Sequence, residues 1–241
     1  MRNASTLARR VPRGCLHGVF VLASVVFGSD HGMCGRFNAE LAQHAVDTLA
    51  ASARAGAKPR ILAVGTRVAT FLEHKGLEVE AVRATPASTA HITAVVRQVL
   101  LDVDAWRGDG IERVWLIFNR HVSAARYEPS ARELLPVDFA GFAALESEPW
   151  ESRRLPTFTM ERGALLASLL RQYFFVTVCR ACTESLASEN RARLIAMQGA
   201  ERNLDKRGGE LTAELRRRRQ EAITAELLDV ASGYQAAAAA D

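Results

Sequence analysis

Residues Glu161 to Gly233 read ERGALLASLLRQYFFVTVCRACTESLASENRARLIAMQGAERNLDKRGGELTAELRRRRQEAITAELLDVASG. The run holds no proline and is built largely from Ala, Leu, Glu, Arg and Gln, the strong helix formers. As one helix it would be roughly 100 Å long at about 1.5 Å per residue. A compact domain of this size cannot bury such a rod. It must protrude, and something outside its own globular part must cover its apolar stripe.

The rod has two unlike halves. From Leu165 to Cys182 apolar residues dominate, among them Leu166, Leu169, Leu170, Tyr173, Phe174, Val176 and Val178, a face wide enough to pack on a sheet. From Glu184 onward the stripe thins. Met197, Leu204 and Leu211 recur at heptad spacing, with Leu194, Glu201, Gly208, Leu215 and Ala222 as an interleaved row. That is a coiled-coil seam with small or polar residues in alternate layers, weak but suited to close approach of a partner. Gly208 and Gly209 inside it each cost about 1 kcal/mol relative to alanine. An ordinary bundle helix is the blander reading of such a stripe, and the length counts against it.

The whole chain has 241 residues, 49% hydrophobic and 24% charged, values of a soluble globular protein with one good core or a domain plus an extension. Its net charge of +4 is uneven. Residues 1–60 carry eight Lys/Arg against three Asp/Glu, whereas residues 184–241 carry nine against ten. The rod is therefore no basic arm for nucleic acid, despite the run Arg216 to Arg219.

Met1 to Arg13 is basic and acid-free, and Val19 to Phe27 is an apolar run. Three readings fit: a short secretory signal, an organellar transit segment in Met1 to Gly14, or a buried β-branched strand ending at a Gly-rich turn. The run is too short to span a membrane. In the next segment, Gly28 to Asn38, the glycines Gly28, Gly32 and Gly35 are expected to turn the backbone from strand into helix, with Asn38 capping a helix from Ala39. A phosphate-binding loop is the competing reading, but the Gly-Lys-Ser/Thr ending is missing and the glycine spacing is not that of a dinucleotide site.

Helices and strands then alternate. Helices are expected over Asn38 to Ala53, Gly65-Thr66 to Lys75, and from a cap at Ser88 or Thr89 to about Trp106. Strands are expected at Arg60 to Val64, Leu77 to Arg83, Ile111 to Asn119 and, antiparallel or at an edge because of its proline, Leu134 to Val137. Such alternation implies βαβ units. The fold class is α/β, a small, mainly parallel Rossmann-like sheet domain plus a long carboxyl-terminal coiled-coil helix. The chain divides into a basic leader (1–18), an α/β base (19–142), a connector (143–160), the rod (161–233) and an Ala-rich tail (234–241).

Chemical candidates are few. Cys179 and Cys182 form a C-x-x-C, open to a core, redox or zinc reading, but they lie mid-helix, and Cys15 and Cys34 make no second pair. Of the six histidines, none pairs at i, i+4 spacing; His31 beside Asp30 reads first as a solvated turn residue and is the one to test for a pH effect. No nucleophile elbow, acid pair or cofactor motif is present.

The tail ITAELLDVASG (Ile223 to Gly233), the RRQEAIT run before it and ESLASENRARLIAM (Glu184 to Met197) resemble the carboxyl-terminal helix of gamma subunits of F-type ATP synthases. Ile223, Thr224, Glu226, Asp229 and Gly233 fit the family's closing pattern, and Tyr234 stands where alanine is usual. FNRHVSA and ELLPV resemble the family's last two strands, and Gly28 to Asn38 its loop after the first strand. The resemblance favours the strand reading for Val19 to Phe27 and a structural role for that loop.

The resemblance implies a central rotor stalk with no active site or cofactor of its own. Its partners would be the alpha and beta subunits of the catalytic head, an epsilon-type subunit and the membrane ring of c subunits. The chain would sit peripherally on the cytoplasmic side of a bacterial cell membrane, without inserting. Arg219 and Gln220 match the pair that meets an acidic loop of a beta subunit, and a guanidinium suits a carboxylate. Tyr173 lies where the rod would meet the rotor ring. One departure is large: gamma subunits open with a long amino-terminal helix antiparallel to the rod, and only about eighteen residues precede the first strand here. A misassigned start, a truncation or a divergent gamma-like protein would each explain it. The rival readings are a stand-alone α/β binding module with a dimerising tail and, more weakly, an enzyme holding a phosphate ligand at Gly28 to Gly35.

Overall fold

The computed structural model describes residues 22–52, 58–123, 126–139, 154 and 157–238. The basic leader, Cys15, His17, most of the connector and the end of the alanine tail lie outside the described residues. Strands Leu22–Phe27 (β1), Arg60–Val64 (β2), Ala81–Arg83 (β3), Arg113–Ser123 (β4) and Arg126–Leu135 (β5) form one sheet in the order β3-β2-β1-β4-β5. The helices are Phe37–Ser52 (α1), Thr66–His74 (α2), Ile92–Gly108 (α3) and Arg162–Ala238 (α4).

β1 is the centre of the sheet. It runs parallel to β2 and β4, with Val25 between Leu62 and Leu116, and all six of its residues are buried. A strand covered on both faces must be apolar on both, which is why LASVVF reads as an unbroken run. The pleat still sorts its side chains. Ala23, Val25 and Phe27 join Leu116 and Phe118 beneath α3 and α4, whereas Leu22 and Val26 join Ile117 beneath α1 and α2.

The edges depart from expectation. β3 is only three residues long, because Leu77 and Val79 pack down against the α1–α2 face before the pairing begins. β5 starts at Arg126, well before Leu134, and stops at Leu135 just ahead of Pro136; it pairs antiparallel with β4. Its mixed sequence RYEPSARE hides a strand because an edge strand buries little on either face. At α3, Ser88 makes no side-chain cap; it precedes a single 3-10 turn, Thr89–His91, and its Oγ lies 2.8 Å from His91 Nδ1.

Asn38 is not a helix cap either. It sits inside α1 and reaches back, Oδ1 accepting from Ser29 N–H at 3.1 Å and Nδ2 donating to Ser29 Oγ at 2.8 Å. The turn it buckles uses its glycines unequally. A Cβ on Gly28 would lie 2.2 Å from Val68 Cβ, so this glycine is needed for close packing, and Gly35 has φ +59°. Gly32 has a φ outside the left-handed region and open space around it, so neither constraint calls for glycine there.

Asp30 ties the same turn to the rest of the carboxyl-terminal edge of the sheet. One oxygen accepts from Thr66 N–H (2.8 Å) and Oγ1 (2.9 Å), the other from Thr85 N–H and Oγ1, both at 2.7 Å. Partial burial acts to raise this carboxyl, but the four hydrogen bonds outweigh it, and the group lies below its ordinary value of 3.8. Thr66 opens α2, so the anion also faces a helix amino terminus. Asp30→Ala should destabilise the base by about 2 kcal/mol, the order of one charge-assisted hydrogen bond once solvent exposure is discounted. Because the folded-state value is depressed, this contribution is complete above the unfolded value and is lost as pH falls through the folded one. Thermal unfolding of wild type and Asp30→Asn across acidic pH should therefore converge at the lowest pH and separate as pH rises.

Candidate functional site

The candidate site is α4, together with the place where the sheet holds it. α4 runs in the same sense as β4. Phe174 packs near Leu134 and Leu135 at the sheet's amino-terminal edge, and Ser188 reaches Asn119 toward the other. Its buried positions are Thr177, Val178, Ala181, Cys182, Ser185, Ser188, Glu189 and Ala192, a stripe at helical spacing. Its residues are mostly small, so the helix axis lies close to the strands. Ser185 Oγ donates to Phe27 O at 2.6 Å, and Ser188 Oγ donates to Asn119 O at 3.1 Å. Ala192 closes the seat against Cys34 and Phe37.

This seat fills the position where open α/β sheets hold ligands, outside the carboxyl ends of β1 and β4 where the strand order reverses. The crevice left among Gly28, Val64, Thr85, Ser185 and Glu189 is about 10 Å³, the room of about one water. Glu189 adds an acid there. Burial pushes its carboxyl above the ordinary range, against the opposing pull of Arg193, whose Nη2 donates to Oε1 at 2.6 Å. Small volume and a buried acid both work against a phosphate at this turn.

Cys34 and Cys182 follow the core reading, and Cys179 is partly buried. Cys182 is buried, and burial, with Cys179 adding to it, pushes its thiol up to about 12, the reverse of an activated thiolate. Among the described residues no three metal-ligating groups cluster. His31 is exposed, and the Asp30 carboxylate beside it bonds to Thr66 and Thr85.

Beyond Ala192 the cover on α4 thins, and from Glu201 onward nothing covers it among the described residues. Leu204, Leu211 and Leu215 are 72%, 68% and 64% exposed, and every described side chain from Glu201 to Gly233 lies in solvent. Gly208 and Gly209 remain helical, with open space at both. Arg219 and Gln220 sit on this bare part. Arg217 and Arg218 pair with Glu214 or Glu221, whereas Arg219 has no ion pair among the described residues. The foot of α4 is apolar too, with Leu166, Leu169 and Val176 exposed. Tyr173 is half-buried there, its ring edge-on to Phe174 at 5.9 Å. By length and composition alone α4 could cross a membrane, yet Val178, Ala181 and Cys182 pack into the sheet's core.

The residues singled out in the sequence are thus stations along a rod. Tyr173 and Arg219 are about 70 Å apart at about 1.5 Å per residue. Sequence reasoning missed Ser185, Ser188 and Glu189, whose serine and acid character reads locally as a solvated helix face.

The ATP synthase family matches residues 5–237. Among similar proteins are the ATP synthase gamma chains of Desulforamulus reducens, 30% identical over 222 residues (90% of this chain, 74% of that one), and Cupriavidus pinatubonensis, 27% identical over 212 residues (88% and 73%). The fold is shared with a chain of the Euglena gracilis mitochondrial ATP synthase solved as OSCP/F1/c-ring (TM-score 0.66, 20% identity, 90% of this chain and 73% of that chain). It is also shared with one from the Tetrahymena thermophila central stalk and c-ring (0.56, 24%, 78% and 80%). The family match takes in nearly the whole chain, seat and bare rod alike, and the protein belongs to the ATP synthase gamma-chain family.

Proposed function

We propose that this central-stalk subunit works as a torsion shaft, carrying rotation between a membrane ion-driven ring and the catalytic beta subunits. The observation that supports this most directly is the bare rod. A helix from Arg193 onward with Leu204, Leu211, Leu215, Leu227 and Val230 in solvent is stable only when another surface covers it. An antiparallel helix along the Met197–Leu204–Leu211 seam, inside a ring of head subunits, is the cover that fits.

On this reading Arg219 offers its unpaired guanidinium, and Gln220 a neutral donor and acceptor, to an acidic loop of a beta subunit. At the other end Leu166, Leu169, Tyr173 and Val176 face the rotor ring, with an epsilon-type subunit alongside. The complex would lie on the cytoplasmic side of a bacterial membrane, with this chain peripheral to the bilayer. The subunit performs no chemistry of its own. It presents a different face to each catalytic site as it turns.

Two measurements test the reading. Arg219→Ala should lower coupling between ATP turnover and ion movement in the assembled complex while changing the stability of the isolated chain by less than about 0.5 kcal/mol. A large loss of thermal stability would make Arg219 structural. In the chain made alone, amide exchange should be fast beyond the seat, after Ala192, and slow in the sheet, and a peptide from a gamma amino-terminal helix should slow exchange along the seam. A concentration-dependent dimer protecting that seam without added peptide would favour the self-associating binding module.

A further inference from the structure

We propose that Ser185 and Ser188 are positioning residues for torque transfer, locking the rotation of α4 about its own axis to the sheet; this rests on the shaft reading above. Apolar contact holds a helix on a sheet but is non-directional, so a helix seated only by Val178, Ala181 and Cys182 could roll in its groove under load. Two hydrogen bonds from adjacent turns to different strands resist roll in both directions. Ser185 reaches the carbonyl of Phe27 on β1, and Ser188 that of Asn119 on β4.

The same helix supplies the comparison. Thr183, Thr212 and Thr224 each bond back to the carbonyl four residues earlier, at 2.8 Å, the ordinary outlet for a hydroxyl in a helix. Ser185 and Ser188 instead direct theirs across to the sheet, and both are buried, 2% and 0% exposed. Packing alone would be met by alanine, which Ala181 and Ala192 already provide on the same stripe. The acceptors are suited to the task. Phe27 ends its strand, and Asn119 faces Pro129 in the ladder, a residue with no N–H to give. Asn119 also donates from Nδ2 to Phe37 O at 3.4 Å, so the clamp continues into the start of α1.

The test uses the full chain assembled with its head and ring subunits, a rigid probe fixed at Lys75→Cys on the base, and the head stalled with an inhibitor. In Ser185→Ala/Ser188→Ala the angular variance of the probe should rise about twofold as the two directional contacts at the seat are lost. Ser185→Ala or Ser188→Ala alone, which keeps one of the two hydroxyls, should raise it less than the pair does. ATP hydrolysis by the head detached from the ring should be unchanged. A variant that rotates with wild-type variance overturns the clamp and leaves the shaft reading intact. A wild-type chain that enters no such complex overturns the shaft reading. In that case the clamp is tested in the isolated chain, where the alanine pair should speed amide exchange over residues 182–192 roughly tenfold. Unchanged exchange there sinks the proposal.

Discussion

A strand rises about 3.3 Å per residue and a helix about 1.5 Å, so a sheet can cover only about twice as many residues of a helix as its strands contain. The longest strand here has eleven residues and α4 has 77, so at most about a third of α4 can lie on the sheet. The buried stripe from Thr177 to Ala192 falls within that limit. Everything else about the molecule depends on this mismatch. The base anchors one short stretch firmly, and the remainder must be covered from elsewhere or stand bare.

The anchoring stretch solves a second constraint. A helix that must be held against turning needs directional contacts, yet its seat is in the core, where polar groups are costly unless paired. The stripe answers with small residues that bring the backbone near, and with hydroxyls that donate to backbone carbonyls of β1 and β4. Glu189 is the expensive member. Its burial is tolerated because Arg193, one turn on, bonds to it from the seat's rim. Asp30, at the same edge, shifts the opposite way, since its oxygens take four donors while remaining partly exposed. Two carboxylates at one end of a sheet thus differ because one is surrounded by hydrogen-bond donors and the other by apolar strand ends.

How much of this was legible depended on the reach of each interaction. The central strand, the β2 and β4 runs and the rod declared themselves through local periodicity, since burial on both faces or one stripe leaves its mark on adjacent residues. The edge strands were blurred because little of either face is buried. Ser185 could not be read at all: its partner, Phe27, is 158 residues away, and nothing near Ser185 distinguishes it from a surface serine. Asn38 misled for the related reason that a residue suited to capping is equally suited to reaching back across a turn. For Arg219 and Gln220 only the resemblance proposes a role, because a bare guanidinium on a bare helix carries no local sign of what it meets.

The bare rod completes the physical account. Gly208 and Gly209 weaken α4 by about 1 kcal/mol each, and no described neighbour approaches the space where their side chains would be. Among the described residues the pair is a liability without compensation. Beside a second helix, however, two missing side chains allow backbones to approach closely, and the loss is offset by packing that longer residues would prevent. The Leu204 and Leu211 side chains that flank the pair supply apolar surface for the same contact. The carboxyl-terminal half is therefore a sequence whose stability is deferred to its assembly, while the half under the sheet is stable by its own contacts. That division suits a shaft, held rigidly by its base at one end and gripped along the rest by the parts it turns within.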